Sequence, residues 1–394
     1  MIDKKMALIS LVFVFLLSVF ASYSYFLNYS SIHTLSPIVS NNGKSGTAEK
    51  NPDGTEIAVT NEPRTEECPL NGKMQTKAEK ANWEKRRPLG IMVENHLDAR
   101  PQSGLSSADI IYEAVAEGGI TRFLTIFYCQ DAKYVGPVRS ARIYFLQLLQ
   151  GYGANPLYAH VGGANTDGPA DALGQIEQIG WALYNDLNQF SVPFPNFWRD
   201  YERLPNRATE HTVYAATSKL WDYAASKRAL TNVDKKGKAW SASFTSWKFS
   251  DDAKQADRGT VANISFGFWK SFASDYAIVW KYDKATNSYK RENGGAAHID
   301  KDTGKQLEAK NIVVVFAKES LANDGYEGGQ HILYKVTGSG DAIVFQNGKA
   351  IQGTWTKKNV DAGMKFTDEN GKEIAVVRGQ VFVEILPIGN KVTY

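Results

Sequence analysis

The pattern of apolar and polar positions along this chain changes character twice. From Met6 to Leu27 the sequence MALISLVFVFLLSVFASYSYFL carries no charge over 22 residues, enough to cross about 30 Å of hydrocarbon as one helix. From 28 to about 85 aliphatic residues are sparse, and SNNGKSGTAEKNPDGTE reads as a flexible stalk. From Pro88 onward short apolar runs alternate with turn residues, the texture of a folded body.

Within that body, Leu89 to Val93 predicts a strand. Asp109–Glu117 and Ile120–Tyr128 flank Gly118-Gly119 and predict a hairpin, although Ala and Glu in the first run also suit a helical turn. After a turn at Gly136-Pro137, Ser140 predicts an N-cap and Ala141–Gln150 a helix. Pro156–Val161 predicts a strand, followed by Gly162-Gly163. Asp167 then predicts a second N-cap, for a helix running to Ile179 with Pro169 near its first turn. Residues 181–211 are irregular and aromatic, and Val213–Leu230 predicts a helix. Strand-like runs recur at 261–268, 276–282, 311–317, 331–336, 341–345, 374–377 and 380–386, between turns such as Asn347-Gly348 and Asn370-Gly371.

The expected fold is an α/β (or α+β) N-terminal domain followed by a β-rich C-terminal domain, behind one N-terminal transmembrane helix and a flexible stalk. The expected boundaries are a cytoplasmic tip at 1–5, an anchor or signal segment at 6–27, a stalk at 28–85, the α/β domain at 86–230, a linker at 231–260 and the β-rich domain at 261–394.

Charge fixes the orientation. Lys4 and Lys5 precede the apolar run and no comparable basic cluster follows closely, so the short N-terminus stays in the cytoplasm and the body lies outside. Val19-Phe20-Ala21 offers the small residues of a cleavage site, but the apolar run continues past it, which favours a retained anchor. No cysteine follows the run, which excludes lipid attachment there. A net charge of +3 and a mean hydropathy of −0.35 argue against a nucleic-acid binder and a polytopic membrane protein. Cys68 and Cys129 could pair in an oxidising compartment or stand as isolated thiols, since pairing needs close Cα atoms.

Arginine is distributed unevenly. Residues 88–212 hold seven of the 14 Arg and one of the 31 Lys, whereas residues from 213 onward hold four Arg and 22 Lys. Either cation solubilises a surface, but Arg suits a carboxylate or phosphate that needs a planar fork. In Gly136-Pro-Val-Arg-Ser-Ala-Arg142, a helix capped by Ser140 would place Arg139 and Arg142 at its N-terminus, where the dipole disfavours cations and an anion could offset them. The expected anion-binding residues are Arg122, Arg139, Ser140, Arg142, Gly162, Gly163, Arg199 and Arg207. The competing account is structural: the same window holds 13 acidic residues, and Asp109, Glu113, Glu117 or Asp131 could pair with these arginines. His160 reads as a packed strand histidine.

No G-x-S-x-G, G-x-x-x-x-G-K-[ST] or H-E-x-x-H motif is present, and the histidines at 33, 96, 160, 211, 298 and 331 show no metal-ligand spacing. No catalytic residue, cofactor or metal is therefore expected.

Residues 99–122, ARPQSGLSSADIIYEAVAEGGITR, with Val135-Gly-Pro-Val-Arg-Ser-Ala-Arg142, resemble the YerB-like proteins of Gram-positive envelopes. Tyr158-Ala-His-Val-Gly-Gly, Phe197-Trp-Arg-Asp200, Lys310-Asn-Ile-Val-Val and Gly353-Thr-Trp355 extend the resemblance over about 86–388. It implies a two-domain envelope protein of unknown function, often lipid-anchored. This chain departs from that pattern in lacking the lipid-accepting cysteine. The order of strands, Arg-bearing turn and glycine loop is also loosely similar to exported LytR-CpsA-Psr transferases, at the level of fold alone.

The leading expectation is a non-catalytic, membrane-anchored extracytoplasmic module. It would bind an anionic envelope component, a cell-wall polymer or an envelope protein through the arginines, and no nucleic acid. The alternatives are a phosphotransferase or hydrolase of phosphorylated or pyrophosphate-linked wall precursors, and a structural assembly protein. Aromatic residues in 190–201 would supply a partner face or, alternatively, core.

Overall fold

The alternating and β-branched runs assemble into one large mixed sheet. The computed structural model describes residues 62–326 and 331–394, together with 49–50 and 56–57. The segments expected to form the cytoplasmic tip and the membrane helix, 1–5 and 6–27, lie outside the described residues. Among the described residues no helix is long and apolar enough to cross a membrane. Glu49–Lys50 and Glu56–Ile57 pair antiparallel with each other.

Glu62–Tyr394 forms one unit around a ten-stranded sheet. From edge to edge its strands are Lys365–Asp368, Lys349–Lys357, Gly338–Gln346, Asn311–Ala317, Val381–Pro387, Ile110–Glu117, Ile120–Phe127, Leu89–Glu94, Leu157–His160 and Asp186–Asn188. Asn311–Ala317 (NIVVVFA) is buried almost throughout, as expected of an apolar strand covered on both faces. Val381–Pro387 runs parallel to Asn311–Ala317 on one side and to Ile110–Glu117 on the other. Strands from both expected domains therefore share one sheet. Four further strands, Asn263–Phe266, Ile278–Asp283, Ser288–Asn293 and Ala296–Ala297, form most of a smaller antiparallel sheet.

The hairpin at Gly118-Gly119 forms as the pattern predicts, with Ile110–Glu117 antiparallel to Ile120–Phe127. Asn347-Gly348 likewise joins two paired strands. The body as a whole is β-rich with few and short helices.

Several expectations need correction. Residues 62–85 are folded, not stalk. Glu66–Glu67 pairs with Met74–Gln75, and a capping box of Thr76 and Glu79 opens the helix Lys77–Trp83. The stretch has few apolar residues, but Cys68, Leu70 and Trp83 are all buried, and Cys68 is disulfide-bonded to Cys129 with a Cα–Cα distance of 6.0 Å. The 231–260 linker also packs onto the body: Trp240 is buried against Tyr128, and Phe249–Ser250 pairs with Val376–Val377.

Ser140 does not cap a helix. The helix is Ile143–Leu149, with Arg142 at the N-cap position and no side-chain cap. Residues 139–141 are held extended instead: Arg139 N donates to Met92 O, Val161 N to Arg139 O and Ala141 N to Gly162 O. Those neighbours satisfy the backbone before a helix can begin. The next helix is Ala172–Gln178, capped by Asp171 rather than Asp167. Val213–Ala215 is a strand paired with Phe197–Arg199, and the helix that follows is Thr217–Arg228.

A buried polar network ties the smaller sheet to the larger one. Arg291 donates to Glu113 and lies 3.8 Å from Glu384, all three fully buried. Burial and the adjacent Glu113 charge hold the Glu384 carboxyl well above its usual range. Trp280 Nε1 donates to Glu384 (3.0 Å), and His298, kept neutral by burial and the Arg291 charge, completes the cluster through Gln102 (2.8 Å).

Candidate functional site

Strand register brings the site together. Leu89–Glu94 pairs antiparallel with Ile120–Phe127, placing Glu94 opposite Arg122. The extended segment 139–141 lies beside both, anchored at Met92, and delivers Arg139 and Arg142 to the same region.

Glu117 is the centre of one half of the site. Its Oε1 accepts from Arg122 Nη2 (2.5 Å) and its Oε2 from Arg142 Nη2. Arg122 Nη1 also reaches the Ser140 carbonyl at 3.4 Å. Burial raises the Glu117 carboxyl, but the charges of Arg122 and Arg142 outweigh it and hold the group at about 2. Burial together with the Arg142 charge pushes the Arg122 guanidinium down to about 10. Both arginines are buried, and the Nε of each has no hydrogen-bond partner.

Glu94 is the centre of the other half. It accepts from Arg139 Nε (3.1 Å) and lies 2.8 Å from His211 Nδ1. Burial raises the Glu94 carboxyl, and the His211 bond and the Arg139 charge more than reverse this. His211 stacks on His96, ring centroids 5.0 Å apart and nearly parallel. Arg139 engages the protein through Nε alone and is about a quarter exposed, so its remaining N–H groups are available. Three guanidinium groups therefore meet two carboxylates.

The other arginines of the window are otherwise employed. Arg100 donates to Asn95 and to the Asp275 carbonyl, and Arg203 to Ser103 and Asp302. Arg199 donates to Thr209 O and Thr212 Oγ1, and Arg207 pairs with Asp98 at 3.3 Å. Much of the arginine excess is thus internal pairing.

Gly162 and Gly163 lie against the arginine segment for reasons of packing. Gly162 is left-handed (φ +59°), and its carbonyl takes bonds from Ala141 N and His160 Nδ1. A Cβ on Gly163 would stand 2.8 Å from Leu173. His160 is a buried strand residue bonded to Asp186 at 2.6 Å. Among the aromatic residues of 190–201, Phe190, Phe194 and Tyr201 are exposed and Phe197 is core.

Sequence reading misses Glu94; it leaves open that Asn95-His96 and Glu210-His211 could meet in space, but nothing in the sequence requires them to. Glu94 ends a strand whose register alone puts it beside Arg122. The two histidines are 115 positions apart, and only the fold stacks them.

Comparison with known proteins agrees with this architecture. Residues 72–231 match the family described as "Protein of unknown function (DUF3048) N-terminal domain", and 269–383 match its C-terminal domain. A Bacillus subtilis (strain 168) protein named "Putative lipoprotein YerB" is 33% identical over 304 residues, covering 77% of this chain and 82% of that protein. The crystal structure of YerB protein from Bacillus subtilis superposes with a TM-score of 0.66 at 26% identity, covering 84% of this chain and all of that one. The chain belongs to the YerB-like family of DUF3048 proteins, whose function is unknown.

Proposed function

We propose that this protein is a non-catalytic, membrane-anchored module of the cell envelope, and that its Arg122–Arg139–Arg142 cluster binds an anionic group outside the cytoplasm. The observation that carries the reading is the charge imbalance: buried Arg122 and Arg142 share the single carboxylate of Glu117, each with an unpartnered Nε, beside an incompletely bonded Arg139. Buried cations short of counter-charge favour an anion from solution, and an arginine fork fits phosphate or carboxylate oxygens. Envelope location is supported by the lipoprotein name of its relative. The apolar run at 6–27 supplies the anchor that a lipid-bearing cysteine supplies elsewhere.

The test is a thermal-shift titration of the full-length protein in detergent with inorganic phosphate and pyrophosphate. Binding to the folded form raises the melting temperature by mass action. Arg139→Gln should abolish the rise, and the loss of the Glu94 pair should lower the unliganded melting temperature without unfolding the protein. A rise of the same size in this variant, or none in the wild type at tens of millimolar anion, defeats the proposal.

A further inference from the structure

We infer that His96, Asp98 and His211 form a binding site for a divalent transition metal of the zinc class. A ring nitrogen of His96, a carboxylate oxygen of Asp98 and a ring nitrogen of His211 all lie within 4.8 Å of one another. Two imidazoles and one carboxylate are a donor set suited to zinc and its neighbours, and three protein ligands leave a coordination position open.

The surroundings match such a site. His211 Nδ1 lies 2.8 Å from Glu94 Oε2, which makes Nε2 the ring nitrogen not engaged by Glu94 and the one that would face an ion. A carboxylate behind a histidine fixes the tautomer and orients the ring toward a metal. His211 is held by burial, whereas His96 and Asp98 are partly exposed, His96 capping and Asp98 lying within a short 3₁₀ turn at Leu97–Ala99. Ligands of a tetrahedral zinc at about 2.0–2.1 Å stand about 3.4 Å apart, so the three must draw in by about an ångström. His96 and Asp98 can do this by rotation about their side-chain bonds. Loading trades the bond from the Asp98 amide to His96 Nδ1, and the parallel stack of His96 on His211, for bonds to the ion, because in-plane lone pairs of stacked rings cannot share one ion until His96 turns.

Two arginines flank the ligands: Arg207 is 3.3 Å from Asp98, and Arg139 is 3.1 Å from Glu94. A bare dication meets opposing charge there, and an anion completing its coordination shell relieves it. This coupling, unlike the metal site itself, rests on the anion reading above.

The experiment is isothermal titration of zinc chloride into the full-length protein in detergent, followed by cobalt(II) loading monitored by its visible absorption. One equivalent of zinc should bind. His96→Ala, whose side chain is partly exposed and outside the core, should weaken binding at least about tenfold with the melting temperature retained. Glu94→Gln should weaken it about 10-fold through His211. Zinc binding unchanged in His96→Ala, or no binding in the wild type, overturns the site even if phosphate binds. Zinc binding that does not tighten when inorganic phosphate is added overturns the coupling alone.

Discussion

Arg291 is fully buried against Glu113, a residue 178 positions earlier in the sequence, and the pair joins the smaller sheet to the larger one. Removing the cation leaves a buried carboxylate without counter-charge. Arg291→Met should therefore lose about 3–5 kcal/mol of unfolding free energy in urea titrations. Glu384→Gln should cost within about 1 kcal/mol, because burial and the Glu113 charge already favour the neutral form of that carboxyl. Glu113→Gln should cost several-fold more than Glu384→Gln, because Glu113 is bonded directly to Arg291 and Glu384 lies 3.8 Å from it, and equal losses would show that Arg291 does not favour Glu113.

Glu117 restrains the arginines that the anion needs. Glu117→Gln should lower stability, since Arg122 and Arg142 lose their shared carboxylate, yet tighten phosphate binding. Opposite signs in melting temperature and affinity are expected, measured by calorimetry on the same preparation. A variant that binds phosphate more weakly would place Glu117 on the ligand's side of the balance.

Asp109 titrates in a useful range. It accepts from Tyr128 N, Cys129 N and Asn71 Nδ2, but complete burial pushes its pKa up to about 6 from the ordinary 3.8. A carboxyl raised in the folded state contributes stability that is fully present below about pH 4 and lost as pH rises to about 6. The difference is on the order of 3 kcal/mol. The stability of Asp109→Asn relative to wild type should therefore rise with pH between 4 and 6. A flat difference across that interval would falsify the assignment.

The Cys68–Cys129 bridge closes a loop with a sequence separation of 61 residues. Chain-entropy arguments give such a crosslink about 4 kcal/mol. Reduction should lower the denaturation midpoint and expose 62–85 to protease before the rest of the body is cut, as mass spectrometry of early fragments would reveal.

Thr76→Ala removes the N-cap bond to Glu79 N (3.1 Å). A loss of about 1 kcal/mol is expected. No measurable loss would mean that the Lys77–Trp83 helix is held by Trp83 packing alone.

Much of the strand layout was legible in the sequence, because NIVVVFA, VFVEILP and the hairpin around Gly118-Gly119 carry β-branched and aromatic residues between turn formers. Local signals failed where tertiary pairing decided the outcome. Ser140 reads as a cap, but Met92, Val161 and Gly162 claim the backbone around it. Residues 62–85 read as stalk because composition cannot register a capping box, one buried tryptophan and a disulfide acting together. Of the candidate site, the arginine cluster was visible as an Arg-for-Lys bias, and Glu117 was among the possible partners. Glu94, His96 and His211 were not singled out, because their proximity depends on register and on a turn closing from over a hundred residues away.

Val381–Pro387, the latest strand in the sequence, sits in the middle of the large sheet between Asn311–Ala317 and Ile110–Glu117. Until it is synthesised, both neighbours have an open edge facing the gap and the two flanks of the sheet cannot join. A chain emerging from the ribosome is thus kept from completing its native topology before its C-terminal strand appears.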